Sequence, residues 1–359
     1  MILPLSLIKV FVPTAVAFFI GVLVTPLFTH FFYKYKLWKR RPRKADELPE
    51  TEEISAHFKR IHNTEAELKT PRPGGLIIWV SVALAVLVIF IVSKIFPTAV
   101  TEKLDFLSRG QTLLPFFALI AGSLIGLADD LMAVYVRRGL FVNGFPRRMM
   151  VGIVTAIGLI AGWWFFAKLG VTAIAVPFNG FLELGWLIVP LFAFVVLATF
   201  SGSVIDGVDG MSGGVLAITF AAYAFLAYFQ NLMDIAALCG AISGAILAFL
   251  WFNIPPARFY MGETGMLGLT VTLAIIAFLT DSVLLLPIIA LPLTVTALSS
   301  AIQIVGKKLF GPRGKVFKVA PLHHHFEAIG WSREKIVMRY WVISVVFAVI
   351  GILIALISN

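Results

Sequence analysis

Five short stretches of this 359-residue chain hold the side chains able to do chemistry. In GLADDLMAV, Asp129 and Asp130 are adjacent at the end of an apolar run. Neighbouring carboxylates repel unless a cation or a shared proton relieves them, so a divalent metal or a cationic partner is their natural complement. The plain alternative is a solvated helix end. In SVIDGVDGMSGG, Asp206 and Asp209 stand among glycines at a helix start. Glycine lets a ligand approach the backbone closely, and a helix N-terminus offers free N–H groups to a phosphate. A capped turn would explain one of these acids but not both. In FLWFNIPPARFYMGETG, Pro255 and Pro256 end one helix and Glu263 opens the next, where a carboxylate can bind metal or simply favour the helix dipole.

The fourth stretch, APLHHHFEAIGW, carries His323, His324 and His325 in a basic loop. Neutral imidazole can bind metal or act as a base, and imidazolium can hold phosphate. Consecutive residues cannot all face one way on a regular element, so a turn is expected. The spacing is not that of a helical zinc site. The fifth, ELKTPRPGGLIIW, sets Lys69 and Arg72 beside the Gly74–Gly75 pair just before an apolar run, which suits an anionic headgroup or a phosphate. The plain alternative there is a positively charged loop end. Together the five stretches fit a metal-assisted site for phosphates. Mg²⁺ prefers carboxylates and phosphate oxygens, and it neutralises charge developing on a diphosphate leaving group.

The elements that must position these groups are membrane helices. The chain is 60% hydrophobic and only 13% charged, with a mean hydropathy of +0.96. A soluble domain carries about 25% charged residues, whereas a helix crossing a bilayer needs about 20 apolar ones. Long apolar runs favour helices over a β-barrel. Ten spans are expected, near 7–32, 75–96, 112–128, 149–167, 186–203, 211–230, 235–252, 264–281, 284–306 and 336–357. The first is a retained helix rather than a cleaved signal. Pro287 and Pro292 predict a kink or break in the ninth, and the Asn-Gly pair in 170–185 predicts a β-hairpin. The whole chain, 1–359, reads as one all-α polytopic domain. With ten spans, the loops bearing the five stretches fall on one side, together with 24 of the 29 Lys and Arg residues. That excess marks the cytoplasmic side and puts both termini outside. It also accounts for the net charge of +10 without nucleic acid. The single cysteine, Cys239, lies in an apolar run and excludes a disulfide within the chain. A transporter would place polar groups near the bilayer midplane between broken helices. Here the acids fall at span ends instead.

The DD pair at 129–130, DGVDG at 206–210, FLWFN…FYMGETG at 249–265 and PLHHHFEAIGW at 321–331 resemble the polyprenyl-phosphate N-acetylhexosamine-1-phosphate transferase superfamily. Within it they look most like the phospho-N-acetylmuramoyl-pentapeptide transferase family, to which the triple histidine with Phe-Glu and Gly-Trp is most specific. The resemblance implies ten transmembrane helices with both termini outside, a bacterial plasma (inner) membrane location, a homodimer and Mg²⁺ dependence. The reaction it implies passes phospho-N-acetylmuramoyl-pentapeptide from its UDP carrier to undecaprenyl phosphate, giving lipid I and UMP. Because the acceptor is already a phosphate nucleophile, direct attack of the lipid phosphate on the sugar-linked phosphorus is the expected route; the alternative is a covalent aspartyl intermediate.

Roles carry over by position. Glu263 stands where the family has an Asp that coordinates Mg²⁺, with Asp206 beside it as a further metal candidate. Asp129 and Asp130 match a pair near the metal and the lipid phosphate, one of them a proton acceptor. Asp206 and Asp209 match the nucleotide-side acidic motif. Gly207, Val208 and Asp209, faced by Tyr260, match a uracil pocket, and Asn253 an active-site Asn. The histidines match an essential loop near phosphate or sugar. The chain departs from the pattern at Glu263, at Ala133 where the family has Lys, at Ser203 where Asn is usual, and at TPRPGG in place of TPTMGG. A basic group on the diphosphate would then come from Arg147 or Arg148. TPRPGG also keeps open a relative that uses another UDP-N-acetylhexosamine for a different glycan.

Overall fold

The computed structural model describes residues 5–38, 69–107, 110–136 and 139–358. The basic residues from Lys39 to Arg60 lie outside them. The chain is helical, in the order α1 (Leu5–Lys34), α2 (Gly75–Ile95), α3 (Ala99–Leu104), α4 (Gly110–Tyr135), α5 (Arg147–Leu169), β1 (Ala173–Val176), β2 (Gly180–Glu183), α6 (Ile188–Ser201), α7 (Met211–Phe229), α8 (Met233–Asn253), α9 (Gly262–Leu279), α10 (Leu286–Ile289), α11 (Leu291–Phe310), α12 (Leu322–Ala328) and α13 (Arg333–Ser358).

Among the described residues, nine helices are long and apolar enough to cross a membrane. Nine of the ten expected spans are therefore met. The remaining one, 284–306, breaks as expected: it is divided at Ala290 into α10 and α11, each with proline in its first turn, where a missing N–H costs nothing. The second piece ends in Lys307 and Lys308 and lacks the apolarity of its neighbours. A second difference concerns α4. Its apolar sequence continues without a breaker, so the helix runs on to Tyr135 and Asp129 and Asp130 sit inside it rather than at its end. The hairpin forms as expected, with Val176 opposite Gly180 and a three-residue connection in which Phe178 takes φ +63°.

Burial orders the bundle. Apolar windows of α8 and α9 are 83% and 89% buried, against 17% for α1 and 22% for α13, so α8 and α9 form the centre and α1 and α13 face lipid. The core is one large apolar cluster around α7, α8 and α9, with a second in which Phe165, Phe192 and Phe278 of α5, α6 and α9 stack together. Lipid gives helices no hydrophobic drive to associate, so small residues that let backbones approach matter more. The contact of α4 with α9 depends on this. A Cβ at Gly126 would strike the backbone carbonyl of Glu263, and one at Gly122 would crowd Gly268. That approach carries the α4 carboxylates to the first turn of α9.

Candidate active site

The site lies where five elements present the same end: α4 its last turns, α8 its C-terminus, and α2, α7 and α9 their N-termini. Hydrogen bonds close it between segments far apart in sequence. Asp130 Oδ2 accepts from the Thr264 backbone N–H at 3.0 Å and from its hydroxyl at 2.7 Å. Asp206 Oδ1 accepts from the Ser212 hydroxyl at 2.7 Å, and its Oδ2 accepts from the Gly262 N–H at 3.1 Å. Asp209 Oδ2 accepts from the Ala257 N–H at 3.1 Å. Asp129 Oδ1 accepts from the Phe145 N–H at 2.5 Å, fixing the loop before α5. Gly262 takes φ +65°, and a Cβ there would collide with Asp130 Oδ2 and the Arg72 carbonyl, so the turn into α9 admits only glycine without displacement.

The three acidic motifs therefore converge. Glu263 lies within electrostatic reach of Asp129, Asp130 and Asp206, and of the Arg72 guanidinium. Burial pushes the Asp206 carboxyl up to about 6; the Ser212 and Gly262 hydrogen bonds and the Arg72 charge oppose this, and Asp130 adds to it. Burial likewise raises Asp209, against the Ala257 N–H and the charge of Arg333. Arg72 is brought in by its own segment. Its N–H donates to Leu37, while Pro71, Gly74 and Gly75 pair with Tyr260 and Met261 like a short ladder. Lys69 stands exposed at the start of that segment, and Arg147 and Arg148 are exposed in the first turn of α5.

Among the described residues, no three His, Cys, Asp or Glu side chains are arranged to hold a metal ion by themselves. Mg²⁺ does not require such a cage, since it is commonly held by one or two carboxylates, with substrate phosphates and water completing the shell. Two buried atoms fit that arrangement. Glu263 Oε2 and Arg72 Nε have no hydrogen-bond partner among the described residues. An open acceptor and an open donor within electrostatic reach of each other suit a cation and an anion entering together.

Several expected site residues also make scaffold contacts. Asn253, 2% exposed, accepts from the Gly210 N–H at 2.9 Å and donates to the Phe259 carbonyl at 2.8 Å, so its amide joins the 206–210 turn to the 254–262 loop. The Val208 side chain is buried in the main apolar cluster. The histidines do not form a loop turn; they occupy the first turn of α12, and helical geometry splays them. His323 is wholly buried, and a Cβ at Gly207 would lie 2.6 Å from its Nε2 and 3.2 Å from His324 Nε2. His324 Nδ1 meets Glu327 Oε2 at 2.6 Å. His325 turns back, its Nδ1 accepting from the Lys318 N–H at 3.1 Å. Burial and the Lys318 charge lower its pKa. Thr264, Ser212 and Glu327 were not singled out by the sequence reading. Only Glu327 carried a signal, a helical i,i+3 spacing from His324 that an expected turn concealed.

A helical multi-pass membrane protein with a buried, carboxylate-rich site at one end of its helices is the class that fold and site define. A model described as Glycosyl transferase family 4 matches residues 112–281. A phospho-N-acetylmuramoyl-pentapeptide-transferase of Geobacillus thermodenitrificans (strain NG80-2) is 34% identical over 343 residues, covering 94% of this chain and 95% of its own. Those of Bacillus velezensis (32% over 337 residues; 93% and 94%) and Chloroflexus aggregans (31% over 357 residues; 96% and 88%) are similar along the same length. The chain belongs to the phospho-N-acetylmuramoyl-pentapeptide-transferase family.

Proposed function

We propose that this protein transfers phospho-N-acetylmuramoyl-pentapeptide from its UDP carrier to undecaprenyl phosphate, releasing UMP and giving lipid I. The observation that carries the reading is the convergence of Asp130, Asp206, Glu263 and Arg72 at one end of a membrane bundle. A site there can join a water-soluble diphosphate to a lipid phosphate. The names of the similar proteins support the donor, and the excess of Lys and Arg on the loops bearing the acids supports a cytoplasmic site with both termini outside, in the plasma membrane. A homodimer rests on the family resemblance.

Glu263, with Asp206 beside it, would hold Mg²⁺, which when bound supplies Lewis-acid neutralisation of the diphosphate. Arg72 directs its buried Nε–H to a phosphate oxygen. The lipid phosphate oxygen attacks the sugar-linked phosphorus, the P–O bond to UMP breaks, and the electron pair leaves with UMP. Asp129 and Asp130, each anchored through one oxygen by a backbone N–H, face the acceptor and take its proton if it arrives protonated. The Asp206–Asp209 turn, with Tyr260, holds the nucleotide, and Lys69 adds positive charge at the entrance. His323 and His324 abut that turn, in reach of phosphate or sugar.

The test is UMP release by purified protein given UDP-N-acetylmuramoyl-pentapeptide and undecaprenyl phosphate, with and without Mg²⁺. Turnover that requires all three supports the reading. Turnover of UDP-N-acetylglucosamine alone would replace it with the related sugar-1-phosphate transfer.

A further inference from the structure

Glu327 takes no part in the reaction as described, yet it is among the few acidic side chains buried in the described residues, at 5% exposure. Both its oxygens are engaged by different partners. Oε2 meets His324 Nδ1 at 2.6 Å, and Oε1 accepts from Arg333 Nε at 3.0 Å. A carboxylate oxygen only accepts, so the proton of that short contact belongs to Nδ1 of His324. The opposite ring nitrogen, Nε2, is then the one turned toward Gly207, in the turn between Asp206 and Asp209.

The placement is braced from one helix. Arg333 opens α13, two residues after Trp331, which stacks on Phe326 at 4.6 Å and carries Arg339 and Lys335 over its ring at 4.2 and 4.9 Å. Further along α13, the Trp341 indole N–H donates to the Gly210 carbonyl at 3.2 Å. One helix thus fixes both α12, which bears the histidine, and the turn the histidine faces. We infer that Glu327 is a positioning residue: it holds His324 in the Nδ1–H tautomer with Nε2 directed at the 206–210 turn, and Arg333 fixes Glu327 in turn. The arrangement follows the logic of a base oriented by a third group. The inference rests on the proposed transfer only for which molecule His324 meets; the orientation stands without it.

The experiment measures kcat and KM for UMP release with Mg²⁺ in wild type, Glu327→Gln, His324→Gln and the double variant. Gln keeps the shape of Glu and removes the obligate acceptor. The expected result is a kcat about 10- to 100-fold lower for Glu327→Gln, the range for lost orienting partners, with donor KM held within about 2-fold. The double variant is expected to be no slower than His324→Gln alone, because Glu327 acts only through that ring. Unchanged kcat in Glu327→Gln, or losses that multiply in the double variant, would overturn the inference. Nitrogen-15 histidine spectra give a readout that needs no turnover. One histidine is expected to carry a hydrogen-bonded Nδ1 proton that Glu327→Gln shifts, and spectra identical in both proteins would also overturn it. Wild type that leaves this UDP donor untouched would defeat the substrate reading and leave the spectra to decide the orientation. If Glu327→Gln does not fold, Arg333→Gln addresses the other carboxylate oxygen from a partly exposed position. A several-fold fall in kcat at constant KM supports the inference, and no change overturns it.

Discussion

Asp130 and Thr264, 134 positions apart, meet twice at a single oxygen, through the threonine's backbone N–H and through its hydroxyl. The contact is fully buried, and it locks the last turns of α4 to the first turn of α9. Thr264→Val keeps the backbone donor and the side-chain shape but removes the hydroxyl. A hydrogen bond to a charged group contributes about 1.5–3 kcal/mol, and its loss leaves a buried carboxylate oxygen less satisfied. The expected outcome is a lower unfolding temperature in detergent and a lower kcat together. A variant with wild-type values of both would show that the contact holds nothing in place.

Glu263 stands where the family pattern expects Asp, and its Oε2 is buried without a hydrogen-bond partner among the described residues. If that oxygen serves a divalent cation, charge matters more than length. Glu263→Gln is expected to lower kcat by about 100-fold or more, commensurate with the several kcal/mol a Lewis acid supplies. Glu263→Asp should retain most of the activity at a higher Mg²⁺ requirement. Chelation should abolish UMP release and added Mg²⁺ restore it. Rates from Gln equal to those from Asp, measured across a Mg²⁺ titration, would remove Glu263 from the metal's shell.

His325 should titrate below the usual histidine range. His325 accepts from the Lys318 N–H, and burial together with the Lys318 charge lowers its pKa from the usual 6.5. A group harder to protonate in the folded state binds fewer protons there than in the unfolded chain. Its contribution therefore weakens folding as pH falls below the unfolded value. Lys318→Gln removes the positive neighbour and is expected to move the His325 midpoint upward, read by histidine NMR. A midpoint that stays put would mean burial alone sets it. Because His325 turns away from the 206–210 turn, His325→Gln should reduce kcat less than His324→Gln.

The helices and the acidic motifs that meet were legible in the sequence for different reasons. Apolar run length names a membrane helix almost without context, and nine of ten spans followed from it. The segment 284–306 breaks at Ala290, as its two prolines led one to expect, and its second piece, ending in Lys307 and Lys308, is less apolar than the other spans. Acid types and glycine spacing named the carboxylates, because a membrane chain seldom carries such groups without use. What could not be read was which oxygen meets which donor. Thr264 and Ser212 look like any helix hydroxyl until α4, α7 and α9 are brought together, and that meeting depends on Gly122 and Gly126 being too small to hold the helices apart. The role of Asn253 as the strut between Gly210 and Phe259 was not legible, since both partners are backbone atoms and leave no trace in side-chain pattern. The splay of the histidines was hidden by the assumption of a turn where a short helix forms.

Gly207 offers the sharpest steric test of the histidine placement. It lies between Asp206 and the buried core residue Val208, and a Cβ there would sit 2.6 Å from His323 Nε2. His323 is wholly buried, so it has no open space into which to retreat. Overpacking a tight interior costs about 1–3 kcal/mol, and the strain should move either the imidazole or the turn that carries Asp206 and Asp209. Gly207→Ala is therefore expected to fold with reduced thermal stability and to lose at least about 10-fold in kcat, since ångström-scale misplacement of reacting groups is sufficient for that. Pairing it with His323→Ala frees the volume the new methyl needs and should recover the stability. If the single variant matches wild type in unfolding temperature, α12 does not pack on the acidic turn and the histidines belong elsewhere.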